Sequence, residues 1–159
     1  MSDKTHHEEH ANRNIEFLSS FYQTYKFNDW SITVAFYSAL HVMETAIFLE
    51  PKICYKGNQI QLKHSEDLEK AIRSAKLQIP KNTPMLVGHQ TRQIIIEENF
   101  VGVRVDYYLL YNQCRMARYY RYAWTDQETN NRIASLRNII SWANKKYFLD
   151  LKLPTRISR

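Results

Sequence analysis

Residues 28–49 read NDWSITVAFYSALHVMETAIFL, and this stretch decides the fold. Phe36, Leu40, Met43 and Ile47 fall on one helical row and Ala35, Val42 and Ala46 on a second, while Trp30, Val34, Tyr37 and Phe48 cover much of the remaining circumference. A helix that is apolar nearly all round is a buried one. The pattern therefore predicts a central helix with others packed about it, opened by Asn28 or Asp29 as N-cap and stopped by Pro51. A membrane span is the poorer reading. The most apolar run, Thr33 to Leu49, carries His41 and Glu44 within 17 residues, whereas a span needs about 20 residues with few or no charges. One polar stripe crosses this helix: Ser31, Ser38 and Thr45 recur every seven residues, with His41 between the last two and Glu44 beside it. Small hydroxyls let another helix approach closely, and His41 reads either as a titrating group or as a core histidine bonded to a hydroxyl or a carbonyl.

Composition agrees with an all-α chain. Of 159 residues 3 are Gly and 4 are Pro, where average usage would give about 11 and 8. Sheets that turn every ten residues or so need that turn chemistry, so all-β and Gly-loop nucleotide-binding classes are disfavoured. The length suits one domain over 1–159. Cys54 and Cys114 make neither a disulfide framework nor a CxxC pair, and no basic n-region leads into an apolar stretch at the N-terminus. A reduced, cytoplasmic protein is the expectation.

Around the central helix the periodicity predicts a helix from about Glu8 to Tyr25, a connection over 51–63 centred on Gly57-Asn58, and a third helix opening at His64-Ser65 with Ser65 as N-cap. Residues 86–98 are read as helix, although Ile94-Ile95-Ile96 and 101–105 carry strand chemistry. A further helix covers 104–122, and the last opens with the capping box Thr125-Asp126-Gln127-Glu128 and runs through Ile133, Leu136, Ile140, Ala143 and Tyr147. Residues 1–9 and 151–159 are expected to be flexible ends.

Charge is distributed unevenly: 3 Lys/Arg face 7 Asp/Glu in residues 1–50, 8 face 5 in 51–100, and 11 face 4 in 101–159. A basic C-terminal half attracts polyanions or an acidic protein partner. Within it Arg104, Tyr108, Tyr111, Arg115, Arg118 and Tyr122 follow one another at steps of four and three, an Arg/Tyr stripe on one helix face. Guanidinium groups contact phosphates and tyrosine rings stack on unpaired bases, so the stripe suits single-stranded RNA. The same residues also suit half-buried packing with snorkelling arginines, or a dimer interface.

No phosphate loop, nucleophile elbow or zinc-protease motif is present. His6 and His10 of HHEEH would share one helix face, but a solvated helix end is the simpler reading, so neither a metal nor another cofactor is expected. His41, His64 and His89 are the remaining candidates for proton transfer. Beside an arginine, a histidine can run metal-free RNA transesterification, in which the 2′-hydroxyl attacks the adjacent phosphate.

Asp29-Trp30, then Tyr37-Ser38-Ala39-Leu40-His41-Val42-Met43-Glu44, then His64, then Leu110-Tyr111 through Arg115-Met116-Ala117-Arg118-Tyr119 resemble a bacterial and archaeal subgroup of HEPN domains over residues 10–122. The resemblance implies an antiparallel up-and-down four-helix bundle with one or two extra helices. It further implies a homodimer of the kind found in RNA-cutting toxins and defence systems and in noncatalytic nucleotide-binding or scaffolding modules. The ribonucleases of the family carry an Arg followed four to six residues later by His. No Arg of this chain has a His at that spacing, so a cleaving site here would be assembled differently, from His41, His64 and Arg115. The expectation is a domain that binds RNA or a nucleotide through Arg104, Tyr108, Tyr111, Arg115, Arg118 and Tyr122, with metal-independent cleavage as its enzymatic form. The alternative is a noncatalytic dimerisation module that pairs with an acidic protein.

Overall fold

Asn28–Leu49 forms one uninterrupted 22-residue helix, α2, in the computed structural model, which describes residues 4–74, 76–77, 79–80, 88–121 and 123–155. It packs against α1 (Lys4–Phe21), α5 (Arg104–Tyr119) and α6 (Asp126–Tyr147), so its apolar circumference is covered from several sides. Among the described residues it is the one helix long and apolar enough to cross a membrane, yet 78% of its most apolar window is buried within the protein. It is the core helix of this fold.

Four hydroxyls of α2 bond within the helix. Ser31, Thr33, Ser38 and Thr45 each donate a hydroxyl to the carbonyl four residues back, those of Phe27, Asp29, Val34 and His41. This back-bonding satisfies a hydroxyl inside a helix without a partner from another element. Phe27, not Asn28, occupies the N-cap position and makes no side-chain cap bond. Asn28 instead donates to the Trp124 carbonyl at 2.9 Å and to Asp126 Oδ1 at 3.1 Å, fastening the start of α2 to the start of α6.

α1 buries His7, Ala11, Ile15 and Leu18 along one face. The chain then turns through a 3-10 segment, Tyr22–Thr24, and through Tyr25 in the left-handed region. His7 near the start of α1 meets His41 in the second half of α2, so the two helices run antiparallel. The first turns of α1 include residues 4–9, expected as part of a flexible end, while 1–3 lie outside the described residues.

After Pro51 the expected loop is instead a small hairpin, β1 (Ile53–Tyr55) with β2 (Asn58–Ile60), paired Ile53↔Ile60, Cys54↔Gln59 and Tyr55↔Asn58. Lys56 and Gly57 take φ of 48° and 78° at its corner. Positive φ at both central residues is the two-residue turn that matches strand twist, and Gly57 adopts it without a Cβ penalty. Asn58 therefore begins β2 rather than the turn. The hairpin is held by Asn99, whose side chain accepts from Cys54 N at 2.7 Å and donates to Cys54 O at 3.0 Å.

Two shorter helices follow, α3 (Glu66–Arg73) and α4 (His89–Asn99). The isoleucine run Ile94-Ile95-Ile96 is thus helical, with Ile95 and Ile96 buried in the main core. Glu69 of α3 closes the start of α4 by accepting from Gly88 N at 2.6 Å and from the Thr91 hydroxyl at 2.7 Å. α6 opens with the expected capping box: Thr125 Oγ1 accepts from Glu128 N, and Glu128 accepts from Thr125 N. Beyond α6 the chain folds back. Asn144 bonds both the N–H and the carbonyl of Leu151, Lys152 N donates to Asn12 Oδ1, and Arg137 donates to the Pro154 carbonyl. Residues 151–155, expected as flexible, are therefore tied to α1 and α6, and 156–159 lie outside the described residues.

Leu136 of α6, fully buried in the main core, and Thr125 at the cap separate core packing from local capping. Urea denaturation of Leu136→Ala is expected to show a loss of about 2–5 kcal/mol. Thr125→Ala is expected to lose about 1 kcal/mol. An indistinguishable loss in the two variants would contradict this division.

Candidate functional site

Glu44 sits in the second half of α2 with no exposed surface. A carboxylate there must be paired or protonated, and two parts of the chain, the segment before α3 and α4, supply its partners. Ser65, just before α3, donates its backbone N–H to Oε2 at 3.0 Å and its hydroxyl to Oε1 at 2.5 Å. Arg92 of α4, itself buried, donates Nε to Oε1. His64 places Nε2 3.7 Å from Oε2. Burial pushes the Glu44 carboxyl up, but the Arg92 guanidinium, His64 and the Ser65 bonds outweigh it and hold the pKa below the usual carboxylate range. Ser65 was expected to cap α3; it makes no cap bond, because its hydroxyl is committed to Glu44.

Around this carboxylate five of the six histidines gather. His7 of α1, 5% exposed, sets Nδ1 3.0 Å from His41 Nδ1, so a single proton is shared between the two rings. The His7 ring lies 5.4 Å from that of His64, and the His10 ring lies 5.0 Å from that of His41 and 4.3 Å from that of His6. Burial, then His7, His10 and Arg92, push His41 down to about 4, and burial is likewise the leading cause of the lowered pKa of His7. Both rings are neutral at pH 7. Among the described residues, His41 thus bonds another histidine rather than a hydroxyl or a carbonyl.

The Arg/Tyr stripe lies on the solvent side of α5, but it serves two separate concavities. Arg104 and Tyr108 line one with Glu97 and Val105. Tyr111, Arg115 and Arg118 line another, about 170 Å³, with Phe36, His89 and Tyr119. Arg118 and Tyr119 also border an adjoining hollow of about 370 Å³ beside Trp30. Tyr122 lies outside the described residues. Arg118 donates to the Tyr37 hydroxyl at 2.8 Å, and the Arg115 and Arg118 guanidinium carbons stand 5.9 Å and 5.0 Å from the Tyr111 and Tyr119 ring centres. Burial, then Arg92 and Arg118, lower the pKa of His89, so the histidine in this groove is neutral at pH 7.

Of the expected catalytic trio, His41 and His64 are brought together through His7, whereas Arg115 lines the groove with His89. The arginine joined to the histidine cluster is Arg92, through Glu44. Arg92 also sets Nη1 3.2 Å from His89 Nδ1 and interacts electrostatically with the Tyr107 hydroxyl, so one buried guanidinium links the cluster to the histidine of the groove. Sequence reasoning missed Arg92, Ser65 and Trp30 as site residues. The signal for the first two was Glu44 itself, an acid on a helix with no exposed face. Comparison of the chain with models of protein families, with curated proteins and with solved structures gave no match.

Removing one member of a buried pair strands the other charge, so Arg92→Ala is expected to cost about 3–5 kcal/mol, read by urea unfolding. The double variant Glu44→Gln, Arg92→Met should regain much of that loss; no recovery would mean that the pair is not what holds α4 to α2. His7, His41 and His89 take up protons less readily folded than unfolded, so their contribution is complete above pH 6.5 and is lost as the pH falls toward the folded value of about 4 for His41. Melting temperature should fall over that window, and His41→Gln should flatten the fall.

Proposed function

We propose that this chain is a HEPN-like domain that binds single-stranded RNA or a nucleotide in the cytoplasm through the groove between α2 and α5. In this reading α1, α2, α5 and α6 form the antiparallel four-helix bundle, and the hairpin, α3 and α4 are additions to it. The observation that carries the proposal is the groove itself, where Arg115 and Arg118 stand beside Tyr111, Tyr119 and His89 and open toward Trp30. Guanidinium groups take phosphates, and exposed rings such as Trp30 and Tyr119, both 59% exposed, offer faces on which unpaired bases stack.

The chemistry the groove would support is metal-independent transesterification. Arg92 occupies the Nδ1 lone pair of neutral His89, so its Nε2–H is the group to donate to a phosphate oxygen beside Arg115 and Arg118, which stabilise charge on the phosphorane. Water takes the 2′-hydroxyl proton and supplies one to the leaving 5′-oxygen. His41 and His64 belong to a different part of the molecule in this scheme. A second reading, in which the face docks a second copy of this chain or an acidic protein, is favoured by a specific feature: Phe27, Trp30, Met116, Tyr119 and Tyr120 are all exposed.

The test is binding of a fluorescent single-stranded oligoribonucleotide across a salt series. The Arg115→Ala, Arg118→Ala variant should bind at least tenfold more weakly, with the log–log salt slope shallower by ~1.4 for two lost phosphate contacts. Absence of binding by the wild-type chain at low salt would sink the RNA reading. A monomer–dimer shift on Trp30→Ala without loss of RNA binding would assign the aromatic patch to dimerisation.

A further inference from the structure

The histidine cluster is not used by the proposed groove, and its geometry points to a ligand of its own: we propose that His7, His64 and Glu44 form a binding site for Zn²⁺ or a similar divalent transition metal. One ligand atom from each of the three lies within 4.8 Å of the others. A tetrahedral zinc site with bonds of about 2.0 Å spaces its ligand atoms roughly 3.3 Å apart, so closure requires side-chain shifts of about an ångström, together with transfer of the His64 proton from Nε2 to Nδ1, which gives up the bond that Nδ1 accepts from Glu66 N. The separation of His64 Nε2 from Glu44 Oε2, 3.7 Å, is already close to that value.

Two further observations point the same way. His7 Nε2 is fully buried and has no hydrogen-bond partner among the described residues. A buried ring nitrogen costs free energy unless something fills its lone pair or takes its proton, and a metal ion does the former. The other nitrogen of the ring is placed as a ligand requires. A metal-binding histidine donates its second ring N–H to an acceptor that fixes tautomer and orientation, and His7 Nδ1 faces His41 Nδ1 at 3.0 Å. His41 is thus a positioning residue for His7. Glu44 is oriented in the same sense: Oε1 is occupied by Arg92 and the Ser65 hydroxyl, which leaves Oε2, held by the Ser65 N–H, turned toward His64.

The donor set is two imidazoles and one carboxylate, a combination that suits zinc and leaves a fourth position for water. Imidazole donors favour zinc, copper and nickel over calcium or magnesium. The ligands come from α1, α2 and the segment before α3, so a bound ion would cross-link the first turns of α1 to the end of the core helix. The site does not rest on the RNA-binding reading.

The test uses the full chain, freed of metal with chelator, and Co²⁺ as a spectroscopic probe with Zn²⁺ as competitor. One Co²⁺ per chain is expected, with ligand-field bands in the visible that Zn²⁺ abolishes, together with a rise in melting temperature on adding Zn²⁺. His7→Gln and His64→Gln should each lose the bands, and His41→Gln should weaken binding by about 10- to 100-fold. His89→Gln and the His6→Ala, His10→Ala double variant should retain the bands. Absence of bands in the wild type, their persistence in His7→Gln or His64→Gln, or their loss with His6 and His10 would each overturn the proposal. Because His64 is partly exposed and lies outside a helix, its variant tests the site even where His7→Gln impairs folding.

Discussion

The structure depends on the fate of one carboxylate. Glu44 is the acid that a helix with no free face carries into the interior, and its charge must be matched there or abandoned. The match is Arg92, seated 48 residues further along the chain, with the Ser65 hydroxyl and N–H completing the set. Satisfying this one group ties the segment before α3, and α4 through Arg92, to α2. The ion pair is therefore better understood as a device that selects one arrangement of the short helices than as a large source of stability.

Arg92 extends that role. Its guanidinium is shared among Glu44, His89 and the Tyr107 hydroxyl, so the cluster at one end of α2 and the groove along α5 have a common support. A cation in that position keeps Glu44 ionised and helps keep His41 and His89 neutral at pH 7. Neutral imidazoles are what metal ligation needs, and at His89 the neutral ring, with Nδ1 accepting from Arg92, presents Nε2–H as a donor. The two candidate sites thus differ in what surrounds the histidines: arginines and aromatic rings about His89, a carboxylate and further imidazoles about His7.

Much of the helical layout was legible in the sequence because its signals are local. The row Phe36, Leu40, Met43, Ile47 needs no partner to be recognised, and neither does the reciprocal bonding of Thr125 with Glu128. The misread positions share a physical cause. Asn28 and Ser65 have the chemistry of N-caps, but each found a stronger long-range use, Asn28 at the start of α6 and Ser65 on Glu44. The hairpin escaped because its strands are three residues long, too short for alternation to register, and because the residues at its corner are Lys56 and Gly57. The stripe on α5 was visible as a periodicity, yet periodicity does not say that Arg104 and Tyr108 face one hollow while Tyr111, Arg115 and Arg118 face another.

What the sequence determined by itself is the set of helices, the burial of the segment 28–49, and the presence of an Arg/Tyr face on a basic half of the chain. Each of these follows from side-chain spacing against a 3.6-residue period or from composition, which need no knowledge of distant residues. Only the tertiary structure decided that the HHEEH segment folds inward, that His7 meets His41 and His64, and that Arg92 rather than Arg115 serves the cluster. Those relations join residues separated by 34 to 57 positions along the chain. The order in which helices stack, and the demand of one buried charge for a partner, set them, and neither is written in the periodicity of any single segment.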